Sequence, residues 1–226
     1  SGLIRYDGID FYAFNESIGF PQNSVYCMLL GMDKKLWFGT RGNGIGSFDP
    51  KSSKATIYDI SAYGLNGNVR AIYQSRNGDL WLGTYGGGVV RFDGEEFSSI
   101  NTENGLSHGV IRSLLEDKEG NIWVGTDRGG VNKIENGQIT IFDEDIGLSN
   151  KSVMTLYEDV FGHIWMGTWS GGINKFDGEH IYHYTAEDGI THDLILSFKE
   201  DGNGNFWVAT EGGINKLTHL GNTLST

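Results

Sequence analysis

Apolar residues in this chain come in short runs. Some alternate with polar residues and others stay apolar only for the length of a strand. Val131-Asn132-Lys133-Ile134 alternates, as a strand with two unlike faces does. Val110-Ile111-Arg112-Ser113-Leu114-Leu115-Glu116 and Ile122-Trp123-Val124-Gly125-Thr126 read as strands buried more deeply. Turn residues stand between these runs. Asp117-Lys118-Glu119-Gly120-Asn121 separates the first two, and Gly129-Gly130 precedes the third. Glu135-Asn136-Gly137 then leads to a fourth strand, Gln138-Ile139-Thr140-Ile141-Phe142. In such hairpins Gly supplies the positive φ that a tight turn needs. No stretch holds a 3.6-residue period, so the pattern predicts an all-β chain.

The pattern repeats. Leu36-Trp37-Phe38-Gly39-Thr40 returns as Leu80-Trp81-Leu82-Gly83-Thr84, Ile122-Trp123-Val124-Gly125-Thr126, Ile164-Trp165-Met166-Gly167-Thr168 and Phe206-Trp207-Val208-Ala209-Thr210. The tryptophans are 44, 42, 42 and 42 residues apart. A fixed period in this range marks a repeat architecture. Four antiparallel strands per repeat make a β-propeller blade, whose radial packing leaves only short edges. Leucine-rich and ankyrin units would be shorter and would contain helix. The expectation is one β-propeller domain over residues 1–226, with repeats at 19–60, 61–103, 104–146, 147–188 and 189–226. Residues 1–18 supply the third and fourth strands of another blade. The count predicts five first, five second, six third and five fourth strands. It favours a five-bladed ring closed by N- and C-terminal strands over an arc of a larger propeller, because an arc would leave two apolar blade faces in water.

Within the repeat each constant residue has an expected task. Trp fills the packing between blades, the Gly two residues later lets backbone approach closely, and the following Thr hydrogen-bonds at the strand end. Composition agrees: 35 Gly, two Pro and 12% aromatic residues suit many strands joined by tight turns. The net charge of −12, without a basic run, argues against nucleic acid. No apolar run is long enough for a membrane helix, and no signal peptide opens these residues. Cys27 lies in an apolar strand and reads as a small buried residue, not a nucleophile.

The units resemble two-component regulator propeller repeats. The fullest copy runs from Gly147-Leu148-Ser149-Asn150 through Gly162-His163-Ile164-Trp165-Met166-Gly167-Thr168 to Gly171-Gly172-Ile173-Asn174-Lys175-Phe176-Asp177-Gly178. The departures are Ala209 in place of Gly and Gly44-Ile45-Gly46-Ser47-Phe48 in the first full third strand. The resemblance implies a sensor: a periplasmic region of a bacterial hybrid histidine kinase, tuned to glycan fragments. Fold analogy alone does not establish function.

Aligned on Trp, the copies differ at three places. Four residues after Trp stand Arg41, Tyr85, Asp127, Trp169 and Glu211; eleven before stand Tyr26, Arg70, Arg112, Met154 and Leu196; fifteen before stand Gln22, Asn66, His108, Asn150 and His192. Twelve before is always Val or Ile: Val25, Val69, Ile111, Val153 and Ile195. In a propeller these loops share one face. The candidate ligand-binding residues are therefore Trp169, Tyr85, Arg41, Arg70, Arg112, His108, His192, Asp127, Glu211 and Tyr26. Aromatic platforms with fixed polar groups suit an oligosaccharide or another small polar ligand, and arginine suits a carboxylate or sulfate. Ordinary solvated loops are the plain alternative.

The other constellations are weaker. Asp117-Lys118-Glu119-Gly120-Asn121 and Asp201-Gly202-Asn203-Gly204-Asn205 lack calcium-loop spacing, and Gly86-Gly87-Gly88 precedes no helix and so is no phosphate loop. Streptogramin lyases have a similar repeat and use a channel-facing His with a metal. His108 and His192 are the matching candidates, but no His–Glu pair for acid–base work is evident within one repeat. The expectation is therefore no catalytic residue, no metal and no cofactor. A protein-interaction or dimerisation module, with a homo-oligomer among its forms, is the alternative.

Overall fold

The computed structural model describes residues 3–14, 19–20, 24–63, 65–201 and 205–217. Contacts gather the chain into two compact units: Ser1–Asn104 with Gly109–Ile111, and Gly105–His108 with Arg112–Thr226. In the first unit β1 (Leu3–Tyr6) pairs with β2 (Phe11–Phe14). Two four-stranded meanders follow. One is β3 (Val25–Leu30), β4 (Leu36–Thr40), β5 (Ile45–Asp49) and β6 (Lys54–Tyr58); the other is β7 (Val69–Gln74), β8 (Leu80–Thr84), β9 (Val89–Phe92) and β10 (Phe97–Ile100). The second unit holds the meander β11 (Ile111–Glu116), β12 (Ile122–Thr126), β13 (Val131–Glu135) and β14 (Gln138–Phe142), of which Ile111 groups with the first unit. It continues with β15 (Val153–Glu158), β16 (Ile164–Thr168), β17 (Ile173–Phe176) and β18 (Ile181–Tyr184). A three-stranded sheet ends it: β19 (Ile195–Glu200), β20 (Phe206–Thr210) and β21 (Gly213–Leu217). Among the described residues the strands number five, five, six and five by position in the repeat, as the sequence predicts.

The short 3₁₀ turns after the fourth strands are a structural addition. Ala186–Asp188 is one of them. The Thr185 backbone N–H donates to Asp188 Oδ2 at 2.8 Å, and Gly189, at φ 102°, ends the turn. The signal is a Thr or Asp cap followed by acidic residues and Gly, which reads as ordinary loop unless capping is sought.

The constant residues perform their expected tasks. A Cβ on Gly39 would lie 2.8 Å from Val69 Cγ1, and one on Gly83 2.7 Å from Ile111 Cγ2. Glycine thus admits the constant Val or Ile of the following blade, and Val69, Ile111, Val153 and Ile195 are fully buried. Cys27 packs at the same junction, where burial pushes its thiol up to about 12. The third strand contributes two further devices. Buried Asn132 accepts from the Ser107 N–H at 2.9 Å and donates to Ser107 Oγ at 2.7 Å; Asn174 does the same with Ser149. The Lys ammonium groups lie over Trp rings: Lys133 5.8 Å from the centre of Trp123, Lys175 5.4 Å from Trp165 and Lys216 5.6 Å from Trp207.

The acidic turns anchor the tryptophans. Trp123 Nε1 donates to Asp117 at 2.7 Å, and Trp165 and Trp207 donate to Asp159 and Asp201, each at 2.9 Å. Residues 202–204 of the last such turn lie outside the described residues. Burial alone would raise the Asp159 carboxyl. Hydrogen bonds from Trp165 and from the backbone and ring of His163 outweigh it and hold the group below its ordinary value. A depressed folded pKa contributes stability above the unfolded value of about 3.9, and that contribution is lost as pH falls through the folded value. Asp159→Asn will therefore cost about 1–3 kcal/mol at neutral pH. Urea titrations will show its gap to wild type closing below pH 4. A gap that widens there would refute the assignment.

Candidate binding face

Each loop between the second and third strands is clipped by its threonine. Thr126 Oγ1 donates to the Gly130 carbonyl at 2.9 Å and accepts from the Gly129 N–H at 3.0 Å; Thr84 and Thr168 repeat both bonds in their own loops. The loop is then stitched to the loop that opens the following blade. Gly42 and Gly44 donate to the Gly67 carbonyl, Gly86 and Gly88 to that of Gly109, Gly130 to that of Lys151 and Gly172 to that of Asp193. Within each unit the two loop sets do share one face, and the residue four after Trp sits on a backbone fixed from both sides.

Four of the residues eleven before Trp stand at a feature absent from the sequence reading. β3, β7, β15 and β19 each slip register by one residue against their partners, between Val25 and Cys27, Val69 and Ala71, Val153 and Thr155, and Ile195 and Ser197. The skipped residues are Tyr26, Arg70, Met154 and Leu196. A bulge gives one strand an extra residue and re-aims its side chain.

In the first unit this brings Tyr26, Arg70 and Tyr85 together. Arg70 Cζ lies 4.7 Å from the Tyr26 ring centre and 4.4 Å from that of Tyr85. Arg41 is exposed, and its backbone bridges to Asn68, two residues before Arg70. A polar cavity of about 330 Å³ opens nearby, lined by Asn66, Gly86, Gly87, Ser99, Asn101 and Glu103 among others. That lies at the small end of ligand pockets. The sequence reading includes only Asn66 of this lining.

The second unit is arranged by charge. Arg112 pairs with Asp127 at 3.3 Å, and Asp127 also accepts from Ser152 Oγ at 3.3 Å. Glu211 lies 3.9 Å from His192 Nε2. His108 is half-buried and packs over Gly129. Trp169 is 53% exposed, and its indole has neither a ring contact nor a hydrogen bond among the described residues.

The ring of residues fifteen before Trp has a local duty. Asn66, Asn150 and His192 each accept from the backbone N–H two residues on, at 2.8, 2.9 and 2.9 Å. This turn occupies Asn66 Oδ1 and His192 Nδ1, so His192 offers a ligand only Nε2. Gln22 lies outside the described residues. Among those residues no group of three or more His, Cys, Asp or Glu is placed to hold a metal ion.

A chain of four-stranded blades, constant in its framework and varied at one loop face, defines a repeat propeller. Five segments, residues 19–42, 63–86, 105–128, 147–170 and 189–212, match the family described as two component regulator propeller and cover just over half of the sequence. The chain belongs to that family. No curated protein matches the sequence.

Among solved structures it is similar to the extracellular domain of BT3049 from B. thetaiotaomicron, described as a hybrid two component system. The TM-score is 0.76 at 24% identity, covering 91% of this chain and 30% of that one. The extracellular domain of BT4673 from the same organism gives 0.72 at 25% identity, covering 91% and 29%. The chain thus spans about three-tenths of the length of these two. Virginiamycin B lyase from Staphylococcus aureus gives 0.75 at 16% identity, covering 96% and 73%, a likeness of fold alone. No helix among the described residues is long and apolar enough to cross a membrane.

Proposed function

We propose that this chain is a non-catalytic, ligand-binding part of a periplasmic sensor region, and that its loop face takes an oligosaccharide. The pairing of positions eleven before and four after Trp carries the reading: Arg70 lies over the Tyr85 ring and Arg112 meets Asp127, so the loop face brings aromatic and charged groups together. Trp169 offers an open indole for stacking on a sugar ring. Family membership and extracellular relatives support the sensor setting. Acid–base catalysis has less support, because His192 spends Nδ1 on the Leu194 N–H.

A thermal-shift and fluorescence screen with neutral and acidic oligosaccharides tests this. A binder will raise the melting temperature and change Trp emission, and Trp169→Ala will remove the emission change. If no oligosaccharide moves either signal, the reading fails. A second reading, contact between copies of the chain, has its own support. The first unit exposes Ile4, Ile9, Phe11, Met28 and Leu30. It predicts a mass that rises with concentration in sedimentation and falls with Met28→Glu.

A further inference from the structure

Two arginines stand eleven residues before their Trp, and the groups that meet their charge differ. Arg112 has its charge met by Asp127 at 3.3 Å. Arg70 has no carboxylate partner among the described residues. Its Cζ lies over the rings of Tyr26 and Tyr85, 4.7 and 4.4 Å from their centres, and its Nε, like that of Arg112, is buried without an acceptor. Arg41, on the same loop face, also has no ion pair among the described residues. Tyr26 and Tyr85 are 39% and 45% exposed, and neither hydroxyl has a partner among these residues. The loop face of the first unit thus presents two guanidinium groups, Arg41 and Arg70, without an ion pair among the described residues, on a protein of net charge −12.

The physical chemistry of this arrangement is specific. Contact with two rings shields the Arg70 guanidinium and restricts it, which removes water and conformational freedom in advance. The charge is met best in the guanidinium plane, where the fork matches an oxyanion with two parallel hydrogen bonds. A neutral hydroxyl would leave the cation uncompensated, so an anion gains more here than at a solvated lysine.

We propose that Arg70, in contact with the rings of Tyr26 and Tyr85 and on the same loop face as Arg41, is an oxyanion subsite that recognises a carboxylate or sulfate group on the ligand. This rests on the loop face being a ligand site. It adds that the ligand is acidic and that it engages the first unit.

The experiment uses the whole chain and four probes: glucuronate, glucose 6-sulfate, glucose and inorganic sulfate. Binding is followed by NMR, with the Arg70 Nε–H resonance as the local reporter. Glucuronate or glucose 6-sulfate will move that resonance and bind at least tenfold more tightly than glucose. Arg70→Gln will abolish the preference. Arg70→Lys, which keeps the charge but loses the planar fork, will restore only part of it. Lys54→Gln removes an exposed charge on β6 and will change nothing. Inorganic sulfate matching the sugar acids would support the subsite and assign it to a free anion. Glucose binding as tightly as glucuronate, or Arg70→Gln keeping the preference, would overturn the subsite while leaving the ligand face intact. If no probe binds at 50 mM (~0.05 M, well above the mM range of weak sites), the subsite is overturned, and the oligosaccharide screen decides the ligand face on its own.

Discussion

Trp165→Ala will lower the unfolding free energy by about 3–5 kcal/mol, the cost of emptying a large aromatic site in a packed core. Three losses combine. The indole packs against Phe206 and Tyr184, with ring centres 4.8 and 6.0 Å away. Asp159, fully buried, loses the donor at 2.9 Å that helps keep it ionised. Lys175 loses the ring beneath its ammonium. Trp169→Ala, four residues on and exposed, will cost no more than about 0.5 kcal/mol. Urea unfolding of the two variants makes the comparison, with the slope checked for constancy. Equal costs would mean that the repeated Trp is no scaffold residue and would undo the division between framework and loop face.

Gly130→Ala will cost about 2–5 kcal/mol, combining left-handed backbone strain with overpacking. Gly130 has φ 72°, and a Cβ there would collide with the carbonyl oxygen of Phe142. Gly130's own carbonyl accepts the Thr126 clip, and its N–H donates to the Lys151 carbonyl. Moving it must shift the loop that carries Asp127. Gly137→Ala separates the two contributions. Gly137 has φ 79° with open space around its Cβ, so only strain of about 1–2 kcal/mol is expected. If both variants unfold at the same urea concentration, the crowding at Phe142 carries no weight.

Much of the framework was legible because it depends on local chemistry. Alternation, turn residues and the Trp ruler place all four strands of the blade around Trp123 to within one residue. They also foretell the close approach at Gly39 and Gly83 and the strand-end role of Thr. Two things were hidden. A bulge is a property of two paired strands, so nothing in Val69-Arg70-Ala71 announces that Arg70 is the extra residue. Asn66 and His192 look like chemical variety. Yet Asn Oδ1 and His Nδ1 stand at the same bond distance from Cβ and accept the same turn hydrogen bond. Difference between copies can therefore conceal a shared task, and the candidate site narrows to the bulge residues and those four after Trp.

The threonine clip has a consequence for how this surface could change. Its bonds run from Thr126 Oγ1 to main-chain atoms of Gly129 and Gly130 and never involve the side chain of Asp127. The loop is thus indifferent to what it displays. Each blade behaves as a socket whose occupant can be exchanged by a single codon without reopening the fold, so the chemistry of the face can change one blade at a time at little structural risk.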